Sequence, residues 1–509
     1  MRPFYISLFV FATICALSCR KDFEYAASNG RLEFSRDTVF LDTIFSNIGS
    51  STYTLKVYNR SKEDILIPKI GLAKGQESGY RLNVDGVAGK TFSDVPLRAK
   101  DSLFIFIETT FNVAEVATSN FLYTDRLEFD KGSLLQEVPL VTLVQDAVFL
   151  FPTETGAGNK ETVSLGRNIN GEVIYVEGFE LRGNQLNFDN QKPYVIYGYA
   201  IVPDKMTLKI SAGTRVYFHK DSGILVSPEG RLQIRGEIST DSVTLEKEVI
   251  FEGDRLEPEL ENVSGQWSGV WITSGSAENN INHLTVKNAT VGIRVEGRDN
   301  LQSPTLTIKN TQIYNSSTFN LWGTSAYIRG ENLVLGSSGS SSLFCDSGGD
   351  YSFVHTTIAN YWTDSFRTDA ALSIEAKSGA TDKINLIRAD FINCIIHGNS
   401  ETELSLNESG SEVFNYLFRN CLIRFDGTIQ DSNMNSLYNF EDNTRYQNVL
   451  FDQKVDFINA NNNNFRLAPN SQAIDKGDSN FALEVPLDLL GRNRTVSPDI
   501  GAYEFITED

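Results

Sequence analysis

Acidic side chains gather around one segment of the chain, where they could take part in chemistry. Asp346 and Asp350 precede this segment, and Asp364, Arg367 and Asp369 lie within it. Several carboxylates can hold Ca²⁺, and an arginine beside them can act as the base of an elimination reaction. The same residues also suit a solvated acidic loop, and we prefer that interpretation. We therefore expect no resident cofactor, with Ca²⁺ required only by the catalytic alternative.

Three tryptophans have the kind of side chain that stacks on sugar rings. Trp267 and Trp271 are four residues apart, which predicts that they share one face of a continuous strand. Trp362 opens the acidic segment. Large aromatic side chains also dominate protein cores, so we expect a packing role for each of the three rather than carbohydrate binding.

The composition excludes several classes of function. The 509 residues include 45 Lys and Arg against 65 Asp and Glu, a net charge of −20. A nucleic-acid-binding protein needs a basic surface, and this chain has no net basic excess. An anionic polymer would be repelled unless calcium or a basic groove intervened. The 4 histidines include no local pair with metal-ligand spacing, so we expect no metal site.

One polar residue recurs along the chain at a nearly constant spacing. Residues 284–288 read Leu-Thr-Val-Lys-Asn and residues 306–310 read Leu-Thr-Ile-Lys-Asn, an offset of 22 (310 − 288). Asparagine tolerates the left-handed conformation of a tight bend, and its amide can bond to the same residue one repeat away. The positions of this predicted ladder are Asn288, Asn310, Asn332, His355, Asn393, Asn420 and Asn448.

The repeat length predicts the architecture of residues 200–464. Units of 22 (310 − 288) to 28 (448 − 420) residues accommodate about three short strands each, which is typical of a right-handed single-stranded parallel β-helix, the pectin-lyase-like solenoid. The step from His355 to Asn393 is 38 residues (393 − 355), so one coil carries a long loop. Loops that leave a solenoid are places where function is found.

The region before the repeats has a different pattern. Residues 30–147 contain short alternating strands, such as 53–58 and 102–108, without a helical period. This pattern predicts a β-sandwich, and it resembles the immunoglobulin-like modules that bacterial surface proteins place beside larger domains. We expect an all-β protein in which residues 148–199 connect the sandwich to the solenoid.

The N-terminus has the features of a targeting signal. A basic start is followed by an apolar stretch, 4–17, which is too short to span a bilayer. Residues 16–19, Ala-Leu-Ser-Cys, resemble a bacterial lipobox, and residues 20–25 resemble the surface-export signal of Bacteroidetes lipoproteins. The resemblance implies a signal peptide at 1–18, a lipidated Cys19 and a tether at 19–29. It also implies anchoring to the outer membrane through lipid, facing the cell exterior.

The C-terminal residues carry three blocks in order, 465–477, 488–492 and 499–504. Together they resemble the choice-of-anchor Q segment that ends many bacterial β-helix proteins. The resemblance implies that 465–509 is a cap whose acids hold turns and close the last coil, where strand edges would otherwise be unpaired. These acids are Asp475, Asp488, Asp499 and Glu504.

Two functions remain open from the sequence. The first is a non-catalytic cell-surface lipoprotein that binds an extracellular glycan or another surface ligand. The alternative is a polysaccharide lyase or glycoside hydrolase that acts in a groove of the solenoid. Pectin-type hydrolases resemble one another in an Asp-Asp pair, and this sequence contains no Asp-Asp dipeptide. Since a fold alone does not establish an activity, binding is the favoured interpretation.

Overall fold

The computed structural model confirms that the chain is all-β. In the part of the chain that it describes, the one α-helix is Ser479–Glu484, and no helix is long and apolar enough to cross a membrane. The chain divides into two compact units between Asp146 and Ala147. The described residues are 25–46, 48–111, 120–154, 159–167, 172–242, 244–297, 303–376, 385–409, 411–426 and 436–506. Cys19 and the rest of the predicted signal therefore lie outside them.

The first unit contains two five-stranded sheets and a smaller sheet of three strands. In Ser102–Thr109 the side chains of Leu103, Ile105 and Ile107 are buried, and they alternate with the exposed Phe104. This alternation places one face of the strand on an apolar core. The strands are Ala26–Ala27, Glu33–Phe34, Val39–Phe45, Tyr53–Tyr58, Ile65–Ile67, Ile70–Leu72, Tyr80–Val84, Val87–Gly89, Thr91–Phe92, Val95–Leu97, Ser102–Thr109, Asn120–Phe129 and Gln136–Gln145.

The second unit is built on one 27-stranded sheet in which most strands pair in parallel with the strand three places further along. The strands thus form three parallel columns, A, B and C. Column A consists of Val148–Leu150, Tyr194–Ile196, Arg215–Phe218, Val249–Gly253, Leu284–Lys287, 311–314, 333–336, Thr357–Asn360, Ile395–Gly398, Leu422–Ile423 and Leu450–Phe451.

The other two columns are formed by the strands that lie between those of column A along the chain. Column B consists of Val173–Glu180, Tyr199–Val202, Gly223–Val226, Trp267–Ile272, Ala289–Glu296, 319–324, 343–346, Leu372–Glu375 and Leu404–Asn407. Column C consists of Asn187–Phe188, Thr207–Ser211, Arg231–Arg235, Asn279–Asn282, 306–309, 326–331, 349–354, Leu386–Ile392, Leu417–Arg419 and Tyr446–Gln447.

The columns begin earlier in the chain than residue 200, the predicted start of the repeats. Val148–Leu150 already pairs in parallel with Tyr194–Ile196, and 178–180 of column B pairs in parallel with Tyr199–Val202. Thr162–Arg167 instead pairs antiparallel with Val173–Glu180. The short apolar segments before residue 200 therefore belong to the same sheet rather than to a separate connector.

The interior between the columns is filled by side chains stacked in register. In column C the rings of Phe353 and Phe391 have centroids 5.4 Å apart, Phe391 and Phe418 are 5.2 Å apart, and Phe418 and Tyr446 are 5.7 Å apart. Parallel strands one repeat apart place equivalent residues over one another. The core is therefore continuous from repeat to repeat.

A row of residues with positive φ marks the corner where the chain leaves column C for column A. The Nδ2 atom of Asn332 donates to Oδ1 of Asn310 at 2.9 Å, and Nδ2 of Asn393 donates to Nε2 of His355 at 3.0 Å. Asparagine suits this left-handed bend because its short polar side chain tolerates it. The residues of this corner row are His283, Asn310, Asn332, His355, Asn393, Asn420 and Asn448.

Asn288 does not belong to this row, contrary to prediction. It follows Lys287, which pairs with Tyr314, so Asn288 is in register with Asn315. Both residues have positive φ, 64° and 57° respectively. They occupy the corner between columns A and B. The matching motifs at 284–288 and 306–310 are misleading because each repeat contains more than one left-handed corner.

The last described segment, 457–506, lies along the outer face of column A. Val334 and Ala359 pack against Phe465, and Ile395 and Leu422 pack against Leu467. Column A has apolar side chains on both faces, and such a sheet needs cover on both. The segment therefore follows a lateral face across several repeats, and the predicted closure of the last repeat stays a prediction.

Buried acids hold the turns of this C-terminal segment. Oδ1 of Asp488 accepts from the backbone N–H of Arg492 at 2.7 Å, and its Oδ2 accepts from that of Glu504 at 2.9 Å. Oε1 of Glu504 lies 3.5 Å from Nε of the buried Arg494. Burial and the nearby Asp499 raise the pKa of Glu504 to about 7. Three of the four predicted acids, Asp488, Asp499 and Glu504, thus accept hydrogen bonds from backbone N–H groups of this segment.

Candidate functional site

The predicted acidic group is spread over two columns and a loop. Asp346 belongs to column B, where it pairs with Thr324, whereas Asp350 pairs with Tyr327 in column C. Asp369 accepts a hydrogen bond from Ser340. The described residues contain no group of three His, Cys, Asp or Glu side chains that could hold a metal ion. The acids are therefore not gathered into one site among the described residues.

Arg367, the predicted base, is buried in an ion pair instead of facing a groove. Its Nη2 lies 2.6 Å from Oε1 of Glu403, and the two side chains are 3% and 0% exposed. Nη2 also donates to Oδ1 of Asn399 at 2.8 Å. Asp364, in the same loop, is exposed. Arg367 thus fastens the loop 361–371 to the following repeat, which gives it a structural role.

The tryptophans do not share one face, because the strand between them is irregular. Trp267 is 1% exposed and stacks on Phe218 with centroids 4.1 Å apart, whereas Trp271 points outward. The pairing register shifts between Gly269 and Val270, and Gly269 has a φ of 135°. The extra residue of this shift is on the neighbouring strand, between Val291 and Ile293, whereas the conformation of Gly269 reverses the side-chain alternation of its own strand. The prediction of a shared face is therefore wrong.

The third candidate tryptophan is also unavailable to a ligand. Trp362 is buried, and its Nε1 donates to Oγ of Ser365 at 2.9 Å. Its ring lies close to Gly339, where an added Cβ would be 3.4 Å from the ring. Trp362 and Trp267 are thus packing residues.

A stacked row on the outer face of column B was missed by the sequence analysis. The guanidinium carbon of Arg294 lies 4.4 Å from the ring centroids of both Trp271 and Trp322, and Trp322 is stacked on Phe344 at 6.1 Å. The repeat offset of 22 (344 − 322) could have revealed part of it. The ring faces cover one another, so this row stabilises the column by cation–π and aromatic contacts.

A polar cavity of about 470 Å³ lies beside the late strands of column A. His397, Arg424 and Asp452 form one wall, since each directly follows a paired residue of three neighbouring strands. The sequence signal was present, because each comes after two apolar residues at steps of 27 (424 − 397) and 28 (452 − 424). The lining residues of this His397 pocket are His397, Glu401, Arg424, Asp426, Asp452, Gln453, Lys454 and Val455.

The protonation state of His397 follows from its contacts. Its Nδ1 accepts from the backbone N–H of Gly398 at 2.9 Å and lies 2.9 Å from the hydroxyl of Tyr361. Burial, assisted by the charge of Arg424, lowers the pKa of His397 to about 4. The neutral ring therefore carries its proton on Nε2. Among the described residues none is hydrogen-bonded to Nε2, which leaves this donor for a ligand.

Asp452 and Arg424 of the His397 pocket are held by backbone groups. Oδ1 of Asp452 accepts from the N–H of Phe425 at 2.8 Å, and Nη1 of Arg424 donates to the carbonyl of Gly398 at 3.3 Å. The lining contains three carboxylates and two cations, a formal charge of −1 (2 − 3) with His397 neutral. The pocket thus offers both donors and acceptors at fixed positions, which suits a polyhydroxylated ligand.

A second polar cluster lies on the outer face of column C. Arg388 contacts Oδ1 of Asp350 through Nε at 2.8 Å and Nη2 at 2.7 Å, and Nη1 of Arg329 is 3.8 Å away. Burial raises the pKa of Asp350 and of Asp390, while Arg329 opposes that rise in both. Of the sequence-predicted acids, Asp350 is the one placed beside arginines.

Comparisons with known proteins provide no assignment. No family model matches the chain, and none of the curated proteins does. A family 123 glycoside hydrolase from Clostridium perfringens is 8% identical over 23% of this chain and 24% of its own, with a TM-score of 0.17. The periplasmic chaperone SfaE is 12% identical over 24% of this chain and 60% of its own, with a TM-score of 0.15.

A third solved structure aligns with more of the chain but is no more similar to it. The catalytic domain of a GH87 alpha-1,3-glucanase is 12% identical over 74% of this chain and 82% of its own, with a TM-score of 0.13. This chain spans about a quarter of the length of the family 123 glycoside hydrolase. Similarity this low carries no argument about function.

Proposed function

We propose that this chain is a cell-surface lipoprotein that binds an extracellular glycan in the His397 pocket. Its second unit would be a right-handed parallel β-helix, and its first an immunoglobulin-like sandwich. Three columns of parallel strands and the corner row of asparagines support the β-helix. Two mainly antiparallel sheets around a common apolar cluster support the sandwich.

The observation that carries the binding proposal is the unpartnered Nε2–H of His397 facing a polar cavity. His397 is 7% exposed, so its imidazole has lost most of its water. Nε2 is not among the buried atoms without a partner, so it opens to the cavity, where a ligand acceptor can replace water. A sugar hydroxyl can accept from Nε2 and donate to a carboxylate such as Glu401 at the same time.

Charge also favours a neutral or weakly charged saccharide. The pocket carries a formal charge of −1 (2 − 3), and the whole chain carries −20. An anionic polymer would be repelled by the charge of the pocket and by the charge of the whole chain. A neutral glycan avoids it and can use the mixed donors and acceptors of the pocket walls.

The location rests on the N-terminal sequence. The lipobox-like residues before Cys19 and the tract after it support a lipid anchor in the outer membrane. The C-terminal blocks support membership of the choice-of-anchor Q class. Protease digestion of intact cells tests the outward orientation, and a Cys19→Ala variant that remains in the membrane fraction after processing would contradict lipid anchoring.

A glycan array with and without Ca²⁺, followed by calorimetry on the best saccharide, tests the pocket. Arg424→Gln should weaken binding at least tenfold because it removes a fixed donor from the wall. The matched control is Arg388→Gln on the outer face of column C, which should leave affinity unchanged. Equal affinities for the two variants and the wild type would overturn the assignment of the pocket.

A polysaccharide lyase or glycoside hydrolase is the second candidate, favoured by one observation. Burial raises the pKa of Asp350 and Asp390 beside Arg329, and a carboxyl with a raised pKa is what a general acid requires. Under this alternative, polysaccharide cleavage should disappear in Asp350→Ala. Release of unsaturated uronides that depends on Ca²⁺ would identify a lyase and would replace the binding proposal.

A further inference from the structure

Cys394 and Cys421 are register partners in neighbouring repeats. Ile392 pairs with Arg419 and Ile395 pairs with Leu422, so residues 27 apart (419 − 392) face one another on both sides of the thiols. Paired strands lie about 4.8 Å apart. A disulfide needs Cα atoms about 4.4–6.8 Å apart, so the backbone spacing suits one.

The two side chains also point toward each other in the core. Sγ of Cys421 donates to the carbonyl of Phe391 at 3.2 Å, which lies in the repeat that contains Cys394. Sγ of Cys394 donates to the carbonyl of Ile392 at 3.2 Å, and the two thiols are themselves in hydrogen-bond contact. Both cysteines are free thiols and fully buried.

We propose that Cys394 and Cys421 form a disulfide when the chain folds outside the cytoplasm. This inference rests on the export in the proposed function and is independent of the His397 pocket. A disulfide-bearing oxidant, either an oxidoreductase or a small-molecule disulfide, takes part in two exchange steps. The two protein thiols lose their protons and two electrons and become one S–S bond, while the oxidant's S–S bond is reduced to two thiols.

The bond has to form before the repeats close. Exchange requires a thiolate, and burial raises the pKa of Cys421 well above its ordinary value. Once the two repeats have stacked, the same burial protects the bond from reductants. Cys345 is not an alternative partner, because it pairs with Gly323 and Ile374 in column B.

The disulfide would close one complete repeat around the His397 pocket. The 26 residues between the cysteines (421 − 394 − 1) include one strand from each column, as well as His397 and Glu401 of the pocket wall. A bond at this point limits the unfolding of that single repeat. Reduction of the disulfide should therefore loosen the pocket wall more than it loosens the distant repeats.

Sequential alkylation tests the inference on the full chain. The exported protein is denatured in N-ethylmaleimide, then reduced and labelled with iodoacetamide before peptide mass spectrometry. We expect the second label on Cys394 and Cys421 and the first on Cys345. In Cys421→Ser, Cys394 should change to the first label. The first label on both cysteines of the exported wild type would overturn the proposal.

A refolding experiment separates this inference from the question of export. The reduced, unfolded chain is refolded with oxidised glutathione and labelled in the same way. The bond should form there too, and dithiothreitol should then lower the urea midpoint of the wild type but not that of Cys421→Ser. If the chain is not exported but forms the bond on refolding, the proposed location is refuted and the disulfide is still supported. Free thiols after oxidative refolding would refute the disulfide.

Discussion

Asn393 binds Asp478 through both ends of its side-chain amide. Its Nδ2 donates to the carbonyl of Asp478 at 3.2 Å, and its Oδ1 accepts from the N–H of Asp478 at 2.7 Å. The same Nδ2 reaches His355 in the preceding repeat. One corner residue thus joins two repeats and the C-terminal segment, and Asn332 does the same through the carbonyl of Leu487 at 2.8 Å.

Replacing Asn393 with leucine should detach part of the C-terminal segment. Two backbone groups of Asp478 and the ring of His355 would lose partners, which should cost about 2–4 kcal/mol. Urea unfolding measures the loss, and limited proteolysis should cut the segment sooner. The matched control is Asn448→Leu, whose contact with Asn420 is long at 3.5 Å, with an expected cost below about 1 kcal/mol. Equal costs would contradict a special role for Asn393.

Acid should destabilise the protein through His397. Its folded pKa of about 4 lies below the unfolded value of about 6.5. The neutral ring therefore contributes stability that is present above pH 6.5 and is lost as the pH falls toward 4, at most about 3 kcal/mol. His397→Gln should reduce the difference between the urea midpoints at pH 7 and pH 4. An unchanged difference would show that His397 titrates normally in the fold.

The control for this pH effect is His219, which has the opposite shift. Its Nδ1 lies 2.8 Å from Oδ2 of Asp254, and this partner raises the pKa of His219. Stability from that pair is present below pH 6.5 and is lost as the pH rises through the folded value. His219→Gln should therefore leave the acid-induced loss in place.

Breaking the buried pair of Arg367 and Glu403 should be costly. Glu403→Gln leaves the guanidinium buried without a counter-charge, an expected loss of about 3–5 kcal/mol in urea unfolding. The double variant Arg367→Met, Glu403→Leu should recover much of that loss, because neither charge then remains buried. As a control, Glu177→Gln at the exposed pair with Lys160 should cost less than about 1 kcal/mol. A small loss for Glu403→Gln would mean that water reaches the pair.

Gly269 should not tolerate alanine. An added Cβ would lie 1.8 Å from the carbonyl oxygen of Val291, and the φ of 135° disfavours any L-side chain. We expect a loss of about 2–4 kcal/mol from strain and overpacking, measured by urea unfolding. Gly86→Ala is the control, since nothing lies within 4 Å of the added carbon. Similar losses for both variants would show that the positive φ, and not the contact with Val291, causes the loss of stability.

The spacing of polar residues predicted the corner row well from Asn310 onward, because parallel pairing keeps equivalent residues in register. It failed at Asn288, since a second corner demands the same conformation and the same residue type. The irregularity at Gly269 also escaped prediction, because the positive φ of one residue reverses the side-chain alternation without changing the local sequence pattern. Glu403 could not be identified as the partner of Arg367, because it is 36 residues away (403 − 367).

Sequence held clues to the other surfaces that were overlooked. Two consecutive apolar residues, such as Ile395 with Ile396 and Leu422 with Ile423, indicate a strand that is covered on both faces. The polar residue after each pair forms the wall of the His397 pocket. What covers column A could not be inferred, because that depends on where a distant segment docks.

The lateral position of residues 457–506 has a consequence for biosynthesis. The hydroxyl of Tyr503 bonds to Gln312 across 191 residues of sequence, so the middle strands of column A are made long before their cover emerges from the ribosome. Contacts this distant in sequence form late and slow the final step of folding. Until then an apolar strip of stacked repeats is open to other chains, which exposes the newly made protein to aggregation and to chaperone capture.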